Sequence, residues 1–167
     1  MNSESGKAGE GFVVGPLFID EQQRNGPARG ILFLCVSNAA RSQMAEGIAR
    51  SIAPAGTKVW SAGSRPTSVR PEAITVLREI CIDISGYRSK AVTEIPATEV
   101  DTVITLCGEQ ECPLFLGKAT RLHWDLHDPA AVAGSDADRL TAFRQVRDEL
   151  RHRIKILLTG KNEGDRK

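Results

Sequence analysis

Cys35 and Arg41 stand six positions apart, with Ser42 directly after. Between them lie Val36, Ser37, Asn38, Ala39 and Ala40. A thiolate and a guanidinium fork are what is needed to attack and hold a tetrahedral oxyanion. The fork binds two oxygens in its plane, and backbone N–H groups of the loop can converge on the others. A helix beginning just after the loop adds positive potential and favours the thiolate form of Cys35. Ser42 could donate a hydrogen bond to that sulfur. Two more thiols, Cys107 and Cys112, have four residues between them, so a disulfide is reachable if the chain folds back. If Cys35 attacked an oxidised oxyanion, a second thiolate could attack Cys35 and release the reduced product, and a third could take over the disulfide. Asp128 precedes Pro129, which restricts its backbone, and could protonate a leaving oxygen. Taken singly, these residues also read as a buried strand cysteine, a surface arginine, incidental thiols and a common turn.

The surrounding pattern supports the chemical reading. Ile31–Val36 is a continuous apolar run suited to a central parallel strand. A helix over 42–53 follows, with Met44, Ala45, Ile48, Ala49 and Ile52 on one face, ended by Pro54 and Gly56. A short strand is predicted over Lys58–Ala62, closed by Gly63. Pro71 suits the first position of a second helix, whose apolar stripe is Ala73, Ile74, Leu77, Ile80 and Cys81; Cys81 reads as a packed core thiol. Residues 84–100 form loop and short helix, Val100–Leu106 a third strand and Leu122–Leu126 a fourth. The last helix spans about 136–158, with Leu140, Phe143, Val146, Leu150, Ile154 and Leu157 inward and its charged faces solvated. Alternating strands and helices predict an α/β chain with a mostly parallel sheet. Sites in such sheets form beyond the carboxyl ends of the strands, where Cys35, Cys107 and Asp128 all fall.

The chain has 167 residues, enough for one domain with its own core. The predicted domain covers 30–159, with a polar tail at 160–167. Six of the fifteen glycines fall in the first thirty positions, and residues 1–29 read as a flexible extension carrying short apolar islands. A net charge of +1 gives no bulk electrostatic case for nucleic acid or membrane binding. No apolar stretch reaches the roughly 18 residues of a membrane span, and the N-terminus lacks a signal peptide's apolar core. A cytoplasmic monomer is the expectation, with thiols kept for chemistry or packing rather than structural disulfides. Cys107, Cys112, His123 and His127 approach a zinc-finger spacing. A strand between the histidines would hold them roughly 13 Å apart, too far for one ion, so no metal is expected.

The loop Cys35–Ser42 resembles the phosphate loop of low-molecular-weight protein tyrosine phosphatases. Its continuation through Gly47 is similar to the arsenate reductases built on that fold. The resemblance extends to Ser61-Ala62-Gly63, Ile82-Asp83-Ile84-Ser85-Gly86, Thr105-Leu106-Cys107, Cys112-Pro113, His123-Trp124 and Asp128-Pro129-Ala130. It implies a low-molecular-weight phosphatase-like fold, a four-stranded parallel sheet flanked by helices. It also implies arsenate reduction: Cys35 as nucleophile, with Arg41 and the amides of residues 36–41 as oxyanion site. Ser42 would assist the thiolate and Asp128 act as acid. Cys107 would attack the arseno-cysteine intermediate, and Cys112 would accept the disulfide. No bound cofactor is implied, only an external thiol reductant: thioredoxin, or glutaredoxin with glutathione. Phosphate would compete with arsenate. Three departures stand out. The stretch between Cys107 and Cys112 is shorter than in well-known members, Ala40 replaces a loop cysteine of some, and Lys90 stands where some carry an aspartate that helps hold potassium near Asn38, Glu46 and Ser61. An ammonium there could replace the metal charge. The alternative functions are a phosphomonoesterase using Cys35, Arg41 and Asp128 with water, and a non-catalytic anion-binding module.

Overall fold

Six consecutive buried residues, Gly30–Cys35, form strand β1 at the centre of the sheet. A strand covered on both faces and paired on both edges has no solvent side, which is why its sequence is apolar without alternation. The computed structural model describes residues 28–108 and 113–160; the expected N-terminal extension and polar tail fall almost wholly outside them, and Cys112 does too. The elements run β1, α1 (Arg41–Ile52), β2 (Lys58–Gly63), α2 (Pro71–Arg78), β3 (Thr102–Thr105), β4 (Thr120–His123) and α3 (Asp136–Thr159). Three 3-10 turns intervene, at Val92–Glu94, Ala97–Glu99 and Pro129–Ala131.

The sheet order is β2-β1-β3-β4, with every pair parallel. The chain passes from β1 to one side for β2, then crosses back over β1 for β3. The topological switch point therefore lies at the carboxyl end of β1, where ligands enter open α/β sheets. The register Leu32↔Trp60 and Leu32↔Val103, Phe33↔Ile104, alternates the side chains between two cores. Ile31, Phe33, Val59 and Ile104 face a core shared with Met44, Ile48, Leu77, Phe143, Leu150 and Ile154 of the three α-helices. Leu32, Leu34, Ala62 and Val103 face a smaller core closed by Ile95, Val100 and Phe115. No helix among the described residues is long and apolar enough to cross a membrane.

Some expectations are corrected. Helix α2 stops at Arg78, so Cys81 is not in its stripe but exposed. Its backbone is left-handed, with φ 64°. Cys81 N donates to Arg78 O and Ile82 N to Leu77 O, the bond pair of a helix stop in which the left-handed residue is usually glycine. The apolar period thus ran three residues beyond the helix. Ile52, at the last position of α1, is 41% exposed rather than packed. Strand β4 lies two residues earlier than the apolar run Leu122–Leu126. Trp124 and Leu126 are buried beyond its end, Trp124 with its ring 6.3 Å from that of Phe33. The charged side of α3 is not wholly solvated. Arg147 is buried, donating to Val76 O (2.9 Å) and pairing with Asp148 (2.8 Å) and Glu79 (3.4 Å). Asp148, the nearest of these, raises its already high pKa further.

Candidate active site

Residues 36–40 fold into a loop whose carbonyls are held outward. Val36 O accepts from Arg65 N, Ser37 O from Thr67 N and Ala39 O from Arg70 N. Asn38 O accepts from Ser89 Oγ (2.7 Å), and Ala40 O from Met44 N in the first turn of α1. In a trans peptide the N–H points opposite to the C=O. Fixing five carbonyls outward therefore turns the N–H groups of residues 37–41 toward the concave side. Asn38 makes the turn with φ 47°, a left-handed conformation that asparagine tolerates better than most residues. Gly63 lets the loop lie flat on β2: a Cβ there would stand 2.4 Å from Val36 O and 2.8 Å from Asn38 N. The residue before α1, Ala40, has no capping side chain, and the first turn holds no acidic residue. The uncapped N–H groups and the helix dipole are left for an anion.

Cys35 ends β1, is buried and is a free thiol. Its Sγ lies 2.8 Å from Ser42 Oγ. The direction of that bond follows from the groups behind it. Lys90 N donates to Asn38 Oδ1 (2.8 Å), which fixes the amide orientation of Asn38. Asn38 Nδ2 then donates to both Ser42 Oγ (2.8 Å) and Ser61 Oγ (2.9 Å). Ser61 spends its own proton on Glu46 Oε2 (2.6 Å). Ser42 thus accepts from Asn38, and its hydroxyl proton is available to the sulfur, the arrangement a thiolate needs. At the far end Glu46 is buried and held by Arg50 (2.8 Å) on Oε1 and by Lys90 Nζ (3.4 Å) on Oε2. The lysine ammonium stands beside the group formed by Asn38, Glu46 and Ser61.

Arg41, at the start of α1, is also buried. Its Nη1 donates to Leu106 O (3.1 Å) and Leu126 O (2.9 Å). Both hydrogens of Nη1 are then used, which leaves Nε and Nη2 as the bidentate edge for two oxygens of an anion. Nη2 lies 3.9 Å from Asp128 Oδ2. Asp128 starts the turn Pro129–Ala131, and its Oδ1 accepts from Ala130 N (3.0 Å), leaving Oδ2 toward Arg41. The chain ends following β1, β3 and β4 therefore meet at one guanidinium.

Cys107 is buried two residues beyond β3 and is disulfide-bonded. It directly follows Leu106, whose N–H donates to Leu34 O (2.8 Å). His123 engages Thr105 Oγ1 through Nδ1 (2.7 Å), tying β4 to β3. Spacing alone missed Gln43 and Ser89. Gln43 Nε2 lies 2.8 Å from Asn38 Oδ1, 3.1 Å from Asn38 O and 2.9 Å from Arg88 O, clamping the loop from below. A polar residue on a helix buried all round was the available signal.

The family model of low molecular weight phosphotyrosine protein phosphatases matches residues 30–166. An arsenate reductase of Oceanobacillus iheyensis is 39% identical over 128 residues, covering 75% of this chain and 92% of its own length. One from Bacillus subtilis is 38% identical over 127 residues, with 75% and 91% covered. Among solved structures, an arsenate reductase in its phosphate-binding state superposes with a TM-score of 0.67 at 34% identity, over 79% of this chain and 98% of that one. A thioredoxin-dependent arsenate reductase of Corynebacterium glutamicum gives 0.59 at 29% identity, over 84% and 67%. The phosphate-type loop on a four-stranded parallel sheet, with these relatives, places the chain in the low molecular weight phosphotyrosine protein phosphatase family, among its arsenate reductases.

Proposed function

We propose that the protein reduces arsenate to arsenite, with oxidising equivalents passing along three thiols. Arsenate binds in the loop of residues 36–41, against the inward N–H groups and the Nε/Nη2 edge of Arg41. Cys35 attacks arsenic as a thiolate held by Ser42. An arsenate oxygen, protonated by Asp128, departs as water. Cys107 then attacks the Cys35 sulfur. The sulfur–arsenic bonding pair stays with arsenic, arsenite leaves, and a Cys35–Cys107 disulfide remains. Cys112 attacks Cys107, frees Cys35 and forms the Cys107–Cys112 disulfide. An external thiol reduces that bond, with thioredoxin the favoured source over glutaredoxin with glutathione. The domain is residues 30–159, and the enzyme acts in the cytoplasm without a bound cofactor.

One observation carries this reading. Cys35 is a free thiol under a serine donor, while Cys107, next to the residue that Arg41 clasps, is already in a disulfide. A relay of this kind would leave Cys35 free and Cys107 in a disulfide once the internal transfer is complete, so the pattern supports it. The same loop could hydrolyse phosphomonoesters through Cys35, Arg41 and Asp128, with water in place of Cys107. The test is arsenite formation from arsenate with thioredoxin, thioredoxin reductase and NADPH, comparing the native protein with Cys107→Ser. Multiple turnovers, abolished by the substitution, are expected. An aryl phosphate cleaved by both proteins, with no arsenite from either, would transfer the site to the hydrolytic reading.

A further inference from the structure

Gln43 lies on α1 and is fully buried. A buried amide costs free energy unless its polar atoms are paired, and here one end is paired and the other is not. Nε2 faces three oxygens: Asn38 Oδ1 (2.8 Å), Asn38 O (3.1 Å) and Arg88 O (2.9 Å). That fixes the sense of the Gln43 amide, because the reverse would set Oε1 against the same three acceptors. Oε1 itself is buried and has no hydrogen-bond partner among the described residues. The residue is therefore kept for its donor. Through Arg88 O that donor reaches the segment 88–91, which lies beside the end of β2: Gly63 N donates to Lys90 O, and Gly63 pairs with Ala91. The same segment gives Asn38 two more donors, Ser89 Oγ (2.7 Å) on the carbonyl and Lys90 N (2.8 Å) on Oδ1.

Both oxygens of Asn38 thus converge on one nitrogen. Tying the carbonyl and the side-chain oxygen of one residue to a common donor fixes its side-chain torsions against the backbone, at the position where the loop turns with φ 47°. The consequence lies at the other end of the Asn38 amide. In its present sense Nδ2 donates to Ser42 Oγ (2.8 Å), which leaves the Ser42 proton for Cys35 Sγ (2.8 Å). With the Asn38 amide reversed, Oδ1 would face Ser42 and take that proton, and the sulfur would lose its donor. The reversed amide would also set Nδ2 against two donors, Lys90 N and Gln43 Nε2. We propose that Gln43 is a positioning residue for the nucleophile: its donation to both oxygens of Asn38 holds that amide in the sense that commits the Ser42 proton to Cys35. The proposal rests on the reading of Cys35 as nucleophile given above. Gln43 acts through Asn38 and Ser42, not by contact with the sulfur. The charged groups around this chain are Arg41, Glu46 and Arg50 on α1, Arg88 and Lys90 on the segment 88–91, and Asp128 beside Arg41. Replacing Gln43 by a neutral residue alters none of them, so a change at the sulfur reports the hydrogen bonds.

The test compares Gln43→Met with the native residue in a common Cys81→Ser background. Methionine matches glutamine in length and offers no donor. In the oxidised protein Cys107 is in a disulfide, and with Cys81 replaced Cys35 is the free thiol. Its thiolate is followed by ultraviolet absorbance across pH. The expected result is a thiolate signal at neutral pH lower by about threefold or more in Gln43→Met, as for weakening a hydrogen bond to a charged group. In alkali, where any thiol is ionised, the two proteins should absorb alike. Adding Gln43→Met to Ser42→Ala should change nothing further, because the serine that carries the effect is gone. Equal thiolate at neutral pH with and without Gln43 would overturn the proposal. So would a loss of the same size in the Ser42→Ala background, since Gln43 would then act by a general loosening of the loop. If Gln43→Met does not fold, Gln43→Ala is read in the same way: alanine suits a helix interior and gives Asn38 no donor. Arsenite formed in a single turnover by the pre-reduced native protein, with no reductant present, reports the arsenate reading separately. If none formed while the thiolate difference held, the role of Gln43 would stand and the arsenate assignment would fall.

Discussion

Lys90→Met should destabilise the protein and slow its catalysis, while the native enzyme should show no dependence on potassium. Lys90 Nζ lies 3.4 Å from Glu46 Oε2, with the lysine side chain 16% exposed and the glutamate 3%. At an effective dielectric constant near 20 that separation corresponds to about 5 kcal/mol of gross attraction. Desolvation of the two groups offsets much of it. Removing one partner of a buried pair costs about 3–5 kcal/mol when the other charge is left alone. Glu46 is not left alone, because Arg50 (2.8 Å) and Ser61 (2.6 Å) remain on it. The expected loss is therefore smaller, about 1–3 kcal/mol, or roughly 2–12 °C in Tm for a chain of this size. The same carboxylate orders the hydrogen bonds through Ser61 and Asn38 to Ser42, so the variant should also lose turnover several-fold as the serine donor loosens. The assays are thermal melting, and arsenite formation in potassium chloride against choline chloride at equal ionic strength. A several-fold acceleration of the native enzyme by potassium would refute the reasoning, because the ammonium would not be serving as the local cation. An unchanged Tm in Lys90→Met would refute it equally.

Gly63→Ala places a Cβ against Val36 O and Asn38 N. Overpacking of this kind costs about 1–3 kcal/mol, and here the loop must shift, so kcat/KM should fall more than tenfold; an active variant with native arsenate affinity would show that the loop has room to spare. Asp138 accepts hydrogen bonds from the N–H (3.0 Å) and hydroxyl (2.9 Å) of Ser135 at the start of α3, and these hold its carboxyl below the usual aspartate range. A depressed folded-state value means stability that is present above the ordinary carboxylate range and lost as pH falls through the folded value. Asp138→Asn should therefore lower Tm near neutral pH and converge with the native protein in strong acid; a gap independent of pH would assign the effect to geometry rather than charge.

The central strand and the anion loop were legible because two independent signals coincide there. A continuous apolar run marks a strand covered on both faces, and the cysteine, arginine and serine follow where such a strand must open into a helix. Elsewhere one signal had to serve for two properties. The run Leu122–Leu126 records burial correctly, since Trp124 and Leu126 are both inside. The hydrogen-bonded strand, however, is Thr120–His123, an edge strand only partly covered, where polar residues are tolerated. Ile80 and Cys81 continued the apolar period of α2 past its last turn, because apolar spacing does not record where a helix stops. Arg147 was hidden among arginines and glutamates that do face water; nothing in the spacing marks the one whose guanidinium caps the carbonyl of Val76. Gln43 of α1 and Ser89 of a distant loop meet at Asn38 O, with Arg88 O holding Gln43, and that convergence exists only in the folded chain.

A phosphate-type loop must be rigid, whereas a thiol relay requires a sulfur to change partners. The sheet register reconciles these demands. Cys35 is the last paired residue of β1, opposite Gly63 on β2. On the other side of β1 the pairing continues through Leu34↔Thr105, and Leu106 is then held by both its polar groups. Its N–H goes to Leu34 O, and its carbonyl accepts from Arg41 and from Leu126 N (3.4 Å). Cys107 comes next. Cys35, the nucleophile of the proposed relay, thus sits at the final residue of the fixed ladder, and Cys107, its proposed resolving thiol, just beyond it on the adjacent strand. Neighbouring parallel strands lie roughly 5 Å apart, so the two sulfurs start from adjacent chain ends. The arginine that would hold the oxyanion is also the group that anchors the segment bearing the second thiol. Arg41→Lys should for that reason cost more than anion affinity. A lysine offers one nitrogen, and it cannot clasp Leu106 O and Leu126 O while presenting a planar edge to a substrate.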